Sequence, residues 1–178
     1  MMEYMDLYDK NKNKLNKIHL RGEKIKPGEY FLTVNVWIIN RKNEILLTQR
    51  HPNKSWPLKW ECSGGVVKAG ENSYNGALRE VEEEIGIKLK TEGELIDTVV
   101  LKEYIGDLYL FKEDIDIKET KLEKDEVINI KWVTIKEFNA MKESGEIAEP
   151  ILWNTEKLKA KIEKNKMMEK QYFNTPIL

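Results

Sequence analysis

The sequence predicts an α+β domain, and three patterns along the chain support this fold class. Segments rich in β-branched and aromatic residues occur both before and after the middle of the chain, as is typical of strands. Between them, the apolar residues change to a helical period. A capping box at 134–137 and a lysine-rich segment after it predict further helices toward the C-terminus.

The composition fits a single domain over residues 1–178. This length supports one substantial core, and we find no internal repeat or low-complexity linker. The 30 lysines and arginines nearly balance the 31 acidic residues, so no basic field favours nucleic acid. Apolar runs are too short to span a membrane, no signal peptide is evident, and the single Cys62 excludes an internal disulfide. We expect a cytoplasmic protein with no membrane or nucleic-acid partner.

The N-terminal third predicts an arm followed by two strands. Residues 1–28 combine short apolar pieces with turn residues, so we expect a small hairpin or an extended arm laid against the domain. Residues 30–39 predict a buried strand and 44–50 its return strand. A loop that contains Trp56 and Trp60 follows.

A helix is predicted where the apolar spacing changes. Its apolar stripe, suited to packing on a sheet, consists of Tyr74, Ala77, Leu78, Val81 and Ile85. Glu71, Asn72 and Ser73 supply negative charge and capping oxygens near its start. Gly86 is the predicted stop.

The C-terminal half predicts three more strands. Two are expected over 94–104 and 107–111, joined through Gly106, and a third over 127–134. The pattern alternates strand-like residues with turn residues, which suits a sheet that continues after the helix.

Two helices are predicted after these strands. The capping box Thr134–Glu137 opens a short helix with Phe138 and Met141 on its inner side. A last helix is expected over 154–170.

Three glutamates of the first predicted helix share one face. At about 100° per residue, Glu80, Glu83 and Glu84 fall within a sector of roughly 100° beside the apolar stripe. Because like charges at this spacing repel, their ionised forms become favourable only with a cation among them. Oxygen ligands indicate a hard ion, Mg²⁺ or Mn²⁺. A solvated acidic face is the alternative interpretation.

The spacing of the whole segment favours the metal site. Residues 65–87 match G-x5-E-x7-R-E-U-x-E-E-x-G-U, where U is apolar, at every specified position. The segment resembles the Nudix box, the signature of the Nudix hydrolase superfamily. This resemblance implies an α/β/α sandwich with a mixed central sheet, to which the chain adds the N-terminal hairpin or arm and the C-terminal helix.

The resemblance also implies roles for individual residues. Glu80, Glu83 and Glu84 would be metal ligands, one of them serving as base toward the attacking water. Gly64, just before the box, would offer its backbone carbonyl to the metal. Structural support of the site would come from Gly65, Glu71, Arg79 and Gly86. Within that set, Glu71 and Arg79 are expected to pair and to tie the loop 65–70 to the helix.

Substrate contacts are expected from residues before the box. Arg50 ends its strand where many family members place a phosphate-contacting arginine, and an exposed strand-end charge is the alternative. Trp56 and Trp60 would stack on a base, or else fold over the sheet.

One more catalytic acid is expected from a loop after the box, as in many family members. Glu126 is the predicted residue because it precedes the strand at 130–133 at a suitable distance. Glu123 and Asp125 are its competitors, and each of these charges could also be simply solvated.

The family resemblance implies a Mg²⁺- or Mn²⁺-dependent pyrophosphohydrolase. Water would attack phosphorus and break the diphosphate bond of a nucleoside or other diphosphate linked to another moiety, which gives a monophosphate plus the remaining group or pyrophosphate. The expected partner is a small-molecule diphosphate, with a homodimer as a further expectation. A Nudix-fold module that senses a nucleotide without turnover is an alternative, against which the intact box speaks.

The N-terminal half also resembles the Nudix proteins grouped with type I isopentenyl diphosphate isomerase. The stretches that carry this likeness are 6–9, 19–22, 36–38, 46–50 and 56–60. Isomerisation of a prenyl diphosphate is therefore a rival function. The isomerase cysteine would align near Gly64, and Cys62 is expected to be a buried core residue.

Overall fold

The computed structural model describes residues 2–173, except for the side chains of 153, 154, 166 and 168–173. The strands are β1 Tyr4–Tyr8, β2 Lys14–Leu20, β3 Phe31–Ile39, β4 Ile45–Arg50, β5 Trp60–Glu61, β6 Ser63–Val66, β7 Glu94–Val100, β8 Tyr104–Lys112 and β9 Val127–Val133. The α-helices are α1 Ser73–Ile85, α2 Ile135–Glu143 and α3 Thr155–Phe173, with short 3₁₀ turns at Ile117–Glu119 and Glu149–Asn154.

The strands β3 to β9 form one mixed sheet. Strand β3 runs parallel to β8 and antiparallel to β6, while β7 covers the outer side of β8. Strand β4 pairs with β5 and β9 and meets β3 only at Ile39 and Ile45, next to the turn between them. The sheet therefore has two parts that separate beyond this turn.

Alternation along β3 divides the core into two layers. Val34, Val36 and Ile38 pack on one face of the sheet against the apolar stripe of α1. Trp37 and Ile39 pack on the other face with residues of α2 and α3, among them Phe138, Leu158 and Ile162. Each such side chain contributes about 1.5–3 kcal/mol by leaving water. The α/β/α sandwich with a mixed central sheet is confirmed.

The predicted ends of α1 and the predicted start of α2 are confirmed by their capping bonds. The side chain of Asn72 accepts a hydrogen bond from the Asn75 amide at the start of α1, and Gly86 ends α1 with a left-handed φ of 71°. At the start of α2, Thr134 and Glu137 form the reciprocal capping box.

The N-terminal segment is a hairpin, as one of the two predicted alternatives stated. Strands β1 and β2 pair antiparallel around a turn held by the side chain of Asp9, which accepts hydrogen bonds from the amides of Asn11 and Asn13. The hairpin packs on the domain through Met5 and Leu7.

Two predictions about strands and turns were wrong. The strand expected to turn at Gly106 instead continues through it, and the turn lies at residues 101–103, closed by a bond from the Leu101 amide to the Tyr104 carbonyl. Gly106 pairs with Thr33 on one side and Val99 on the other, so a central strand needs it extended. The region after Trp56 contains two short strands, and β6 extends to Val66 within the segment expected to be loop.

None of the helices among residues 2–173 combines the length and apolarity needed to cross a membrane.

Candidate functional site

Arg79 on α1 organises the segment 65–87. Its guanidinium donates to Glu71 through Nε at 3.0 Å and Nη2 at 2.9 Å, and Nη2 also donates to the Val66 carbonyl at 3.0 Å. Nη1 donates to Glu80 at 2.7 Å and to Glu83 at 2.8 Å. The expected Glu71–Arg79 pair is therefore present, and it connects the loop 67–72 with the acidic face of the helix.

Two consecutive glycines let strand β6 approach its neighbours closely. A Cβ on Gly65 would lie 2.5 Å from the Glu80 carboxyl carbon, so the absent side chain leaves room for that carboxylate. A Cβ on Gly64 would lie 2.3 Å from the Val34 carbonyl oxygen on β3. The isomerase cysteine therefore has no room at Gly64 in this backbone.

Glu84 is the most deeply buried carboxylate of the site. Its side chain is 6% exposed, and Oε2 has no hydrogen-bond partner. Burial raises the pKa of Glu84 well above its usual range, and the negative charges of Glu61 and Glu80 raise it further. An acceptor atom that is buried without a donor is suited to a cation.

The other two glutamates differ in environment. Burial raises the pKa of Glu80, against the effect of neighbouring Arg79. Burial acts in the same sense on Glu83, but hydrogen bonds from Lys68 and Arg79 outweigh it and lower its pKa. The acidic face thus combines one solvent-facing carboxylate with two that are held in a poorly hydrated environment.

These carboxylates line a cavity of about 790 Å³. The predicted Glu126 also lines it and lies close enough to Glu80 and Glu84 for its charge to raise the pKa of both. Of its two competitors, Glu123 lines the cavity and Asp125 does not. Tertiary structure therefore brings Glu126 to the same space as the helix glutamates.

Basic and aromatic groups line the same cavity. Arg50 pairs with Glu61 at 2.5 Å and donates to the Ser55 carbonyl at 2.5 Å, so it is not the exposed strand-end charge of the alternative interpretation. Trp56 is 41% exposed and lines the cavity, with its ring centroid 6.0 Å from the Arg50 guanidinium carbon.

Trp60 does not line the cavity, contrary to its predicted substrate contact. The side chain is 8% exposed and belongs to the core cluster under α2 and α3, where Lys131 lies over its ring at 4.1 Å. The alternation along β5 explains this: Trp60 points into the core, while the next residue, Glu61, lines the cavity.

Sequence reasoning missed four charged residues of the cavity, namely Glu3, Arg21, Lys54 and Glu61. Glu61 is mostly buried, and burial raises its pKa despite the neighbouring Arg50. A carboxylate between Trp60 and Cys62 was the available signal, because an acid in an apolar run must find a special environment. Lys54 pairs with Glu126 at 2.8 Å, a contact between two loops that local sequence does not indicate.

The donor set suits a divalent cation, although the carboxylates are held by other partners. Within residues 2–173, no three side chains of the Asp, Glu, His or Cys type are already gathered as a metal-binding group. Glu80 is held by Arg79, and Glu83 by Arg79 and Lys68. Oxygen donors and the unpartnered Oε2 of Glu84 nevertheless match the preference of Mg²⁺ or Mn²⁺.

Comparison with known proteins agrees with this arrangement. A family model described as the NUDIX domain matches residues 29–153. An uncharacterised Nudix hydrolase of Listeria monocytogenes is 36% identical over 148 residues, covering 82% of this chain and 88% of that protein. A solved structure from Deinococcus radiodurans is 21% identical with a TM-score of 0.69, covering 84% of this chain and 94% of that one, which shows the common fold.

The second likeness found in the sequence is weaker. An isopentenyl-diphosphate Delta-isomerase of Photorhabdus laumondii is 32% identical over 116 residues, covering 60% of this chain and 62% of that enzyme. In the present chain Cys62 is buried, and burial raises the pKa of its thiol. With its complete box, its sandwich fold and the family model matching most of its length, the chain belongs to the Nudix hydrolase family.

Proposed function

We propose that this protein is a divalent-metal-dependent pyrophosphohydrolase that acts on a small molecule containing a diphosphate. The observation that carries the proposal is the unpartnered Oε2 of Glu84, buried beside Glu80 at a cavity that also has basic groups. A carboxylate in this position is stabilised by a cation, and the cation in turn suits a polyanionic substrate.

Glu80, Glu83 and Glu84 would hold the metal ion, with the backbone carbonyl of Gly64 as a further ligand. Glu61, whose carboxylate borders the same cavity, is an additional candidate. When bound, Mg²⁺ or Mn²⁺ neutralises diphosphate oxygens and makes water a better nucleophile near neutral pH.

The residues of the chain then have separate tasks. Arg50 and Lys54 bind the diphosphate oxygens, exchanging their present partners Glu61 and Glu126 for the substrate. A cavity carboxylate, Glu126 or one of the box glutamates, accepts a proton from the attacking water. The water oxygen bonds to phosphorus as the bridging P–O bond breaks, and the leaving phosphate takes the electron pair. Trp56 is placed to contact the group attached to the diphosphate.

Hydrolysis is favoured over the two alternatives by local structure. Isomerisation would need a thiol near residue 64, where a Cβ would overlap the Val34 carbonyl. A sensor without turnover has no need for the three helix glutamates, Glu80, Glu83 and Glu84, all of which border the cavity.

A substrate panel tests the proposal. The protein is incubated with Mg²⁺ and nucleoside triphosphates, nucleotide sugars, dinucleotides, ADP-ribose, coenzyme A and prenyl diphosphates, and the phosphorus-containing products are separated. We expect hydrolysis of at least one compound at its diphosphate, with oxygen from ¹⁸O-labelled water in a phosphate product. Glu83→Gln and Glu84→Gln each remove a proposed metal ligand. Glu82→Gln, on the exposed side of α1, is the matched control for both. Prenyl isomerisation without phosphate release, or tight binding without turnover, would contradict the proposal.

A further inference from the structure

The N-terminal hairpin contacts the loop of the Nudix box although it lies outside the matched domain. The family match begins at residue 29, whereas β1 spans Tyr4–Tyr8. The Tyr4 carbonyl accepts a hydrogen bond from the Ala69 amide at 2.8 Å, and Met5 and Leu7 belong to an apolar cluster that includes Val66. The hairpin therefore holds the loop 67–72 at Ala69 and packs against the end of β6 that leads into the loop.

Asp6 provides the strongest polar contact between the hairpin and this loop. Its Oδ2 accepts a hydrogen bond from the Gly70 amide at 2.7 Å and is 2.7 Å from the Lys14 ammonium. The side chain is 5% exposed. A hydrogen bond from a backbone amide to a charged acceptor is about twice as strong as one to a neutral acceptor. Gly70 has a φ of 82°, so this bond fixes the residue at which the loop turns.

The contact leads directly to the box carboxylates. Gly70 precedes Glu71, and the Glu71 carboxylate accepts two bonds from Arg79. Arg79 in turn donates to Glu80 and Glu83, two of the proposed metal ligands. A shift of the loop at Gly70 would therefore move the group that orients both carboxylates.

We propose that Asp6 is a positioning residue for the metal-binding carboxylates, acting through Gly70, Glu71 and Arg79. This inference rests on the proposed metal site and assigns part of its geometry to a hairpin outside the family domain. Partners that orient metal ligands indirectly typically account for about 10- to 100-fold in metal affinity.

Three variants separate this role from a general contribution to stability. Asp6→Leu removes the acceptor for the Gly70 amide but keeps an apolar side chain of similar size. Asp6→Asn keeps an acceptor oxygen and loses the charge. Lys14→Met removes the cation beside Asp6 and leaves the Gly70 bond in place, so it is the matched control.

Hydrogen exchange without metal tests the contact with the loop. We expect amides of the 67–72 peptide to exchange faster in Asp6→Leu, by a factor on the order of ten, because the local opening free energy falls. Asp6→Asn should fall between Asp6→Leu and wild type, because its neutral oxygen is a weaker acceptor, and Lys14→Met should remain close to wild type. Unchanged exchange in Asp6→Leu would overturn the positioning role.

Binding of Mn²⁺, followed by the loss of its free electron paramagnetic resonance signal, tests the effect on the site. Well below the melting temperature of each variant, Asp6→Leu should bind Mn²⁺ about 10- to 100-fold more weakly than wild type, with rescue by Asp6→Asn. Equal affinity of Asp6→Leu and wild type would also overturn the inference. Failure of the wild type itself to bind Mn²⁺ would instead overturn the proposed metal site, while the exchange measurement still decides whether Asp6 holds the loop.

Discussion

At the scale of single residues, the site combines carboxylates that the fold stabilises to different degrees. Glu71 is fully engaged by Arg79, and Glu83 gains hydrogen bonds from two cations. Glu84 lies on the same helix but is buried with one oxygen unpartnered. The fold therefore retains a carboxylate that weakens the metal-free state, as is common for groups selected for function.

Replacing Glu84 by glutamine should stabilise the metal-free protein. The pKa of Glu84 is raised in the folded state, so the folded protein binds its proton more tightly than the unfolded chain does. The stability of the wild type should thus fall as pH rises from the unfolded pKa to the folded one, and Glu84→Gln removes this loss. We expect a melting temperature a few degrees higher than wild type at neutral pH in EDTA.

Glu84→Gln should also lose the stabilisation that Mg²⁺ gives to the wild type, because Mg²⁺ can stabilise the folded state only if it binds to it. Calorimetry with and without Mg²⁺ measures both effects, with Glu82→Gln as control. A lower melting temperature of Glu84→Gln in EDTA would contradict our account of the buried carboxylate.

Gly64 is constrained by space rather than by charge, because the fold leaves no room for a side chain there. Gly64→Cys should lower the free energy of unfolding by about 1–3 kcal/mol, since the new Cβ forces β6 away from the Val34 carbonyl. Gly76→Ala on α1 is a suitable comparison, because the atoms nearest to its new Cβ are side-chain atoms at 3.2 Å and not backbone at 2.3 Å. Urea denaturation measures both losses. A loss for Gly64→Cys no larger than that for Gly76→Ala would show that β6 yields easily.

At the scale of elements, the helix ends are set by local chemistry. Asn72 caps α1 and Thr134 caps α2, each through a side-chain oxygen that accepts a hydrogen bond from a backbone amide. These bonds join neighbouring residues, so they act without help from the rest of the fold.

The cap of α2 gives a prediction independent of catalysis. Thr134→Ala should lower the free energy of unfolding by about 1 kcal/mol, because the hydroxyl accepts a hydrogen bond from the Glu137 amide and donates one to the Glu137 carboxylate, and both are lost. Thr134→Ser should retain most of this stability. The helix packs under the face of the sheet opposite α1, so the kcat of both variants should match wild type. Chemical denaturation and steady-state kinetics check the pair. A fall in kcat with Thr134→Ala would imply coupling across the sheet.

Local chemistry also explains which elements the sequence predicts well. Strand β3 and helix α1 have clear periods and caps, and both form where they are expected. Gly106 misled the prediction because glycine marks turns in most sequences, whereas here it lies between two neighbouring strands.

The residues that line the cavity are harder to predict from the sequence than the helices and strands. Glu80, Glu83 and Glu84 follow from one helical face, and Glu126 from its distance to a strand. The contribution of Lys54 depends on the contact of its loop with the loop before β9, which no local pattern records, whereas Glu61 had the local signal of an acid in an apolar run. Trp60 was predicted to contact the substrate but lies in the core, where the pairing of β4 with β5 places it.

At the scale of the whole molecule, the hairpin is joined to the domain at two distant places. Near its base, Asp6 contacts the box loop. At its tip, Lys12 pairs with Asp107, a fully buried residue of β8 that also accepts a hydrogen bond from Thr98 at 2.7 Å. The hairpin therefore spans from the site to the central sheet.

Removing the tip contact should cost appreciable stability. Lys12→Met leaves Asp107 buried without its cation, and because Lys12 is about one-third exposed we expect a loss of about 1–3 kcal/mol. Lys17→Met is the matched control, since Lys17 of the same hairpin is 56% exposed and its partner Glu29 is not fully buried, so the midpoint should remain close to wild type. Urea titrations of the two variants measure the difference. Equal urea midpoints for Lys12→Met and Lys17→Met would mean that the charge of Lys12 does not anchor the tip of the hairpin.

The pairing of Lys12 with Asp107 also bears on the order of events during synthesis. The two residues are 95 positions apart in the chain. At roughly 5–20 residues per second, the ribosome makes Asp107 about 5 to 20 seconds after Lys12. During that interval the hairpin has emerged while its buried anchor does not yet exist. The contact of Lys12 with Asp107 is thus a late step, whereas Asp6 can reach Gly70 as soon as the box loop has been made.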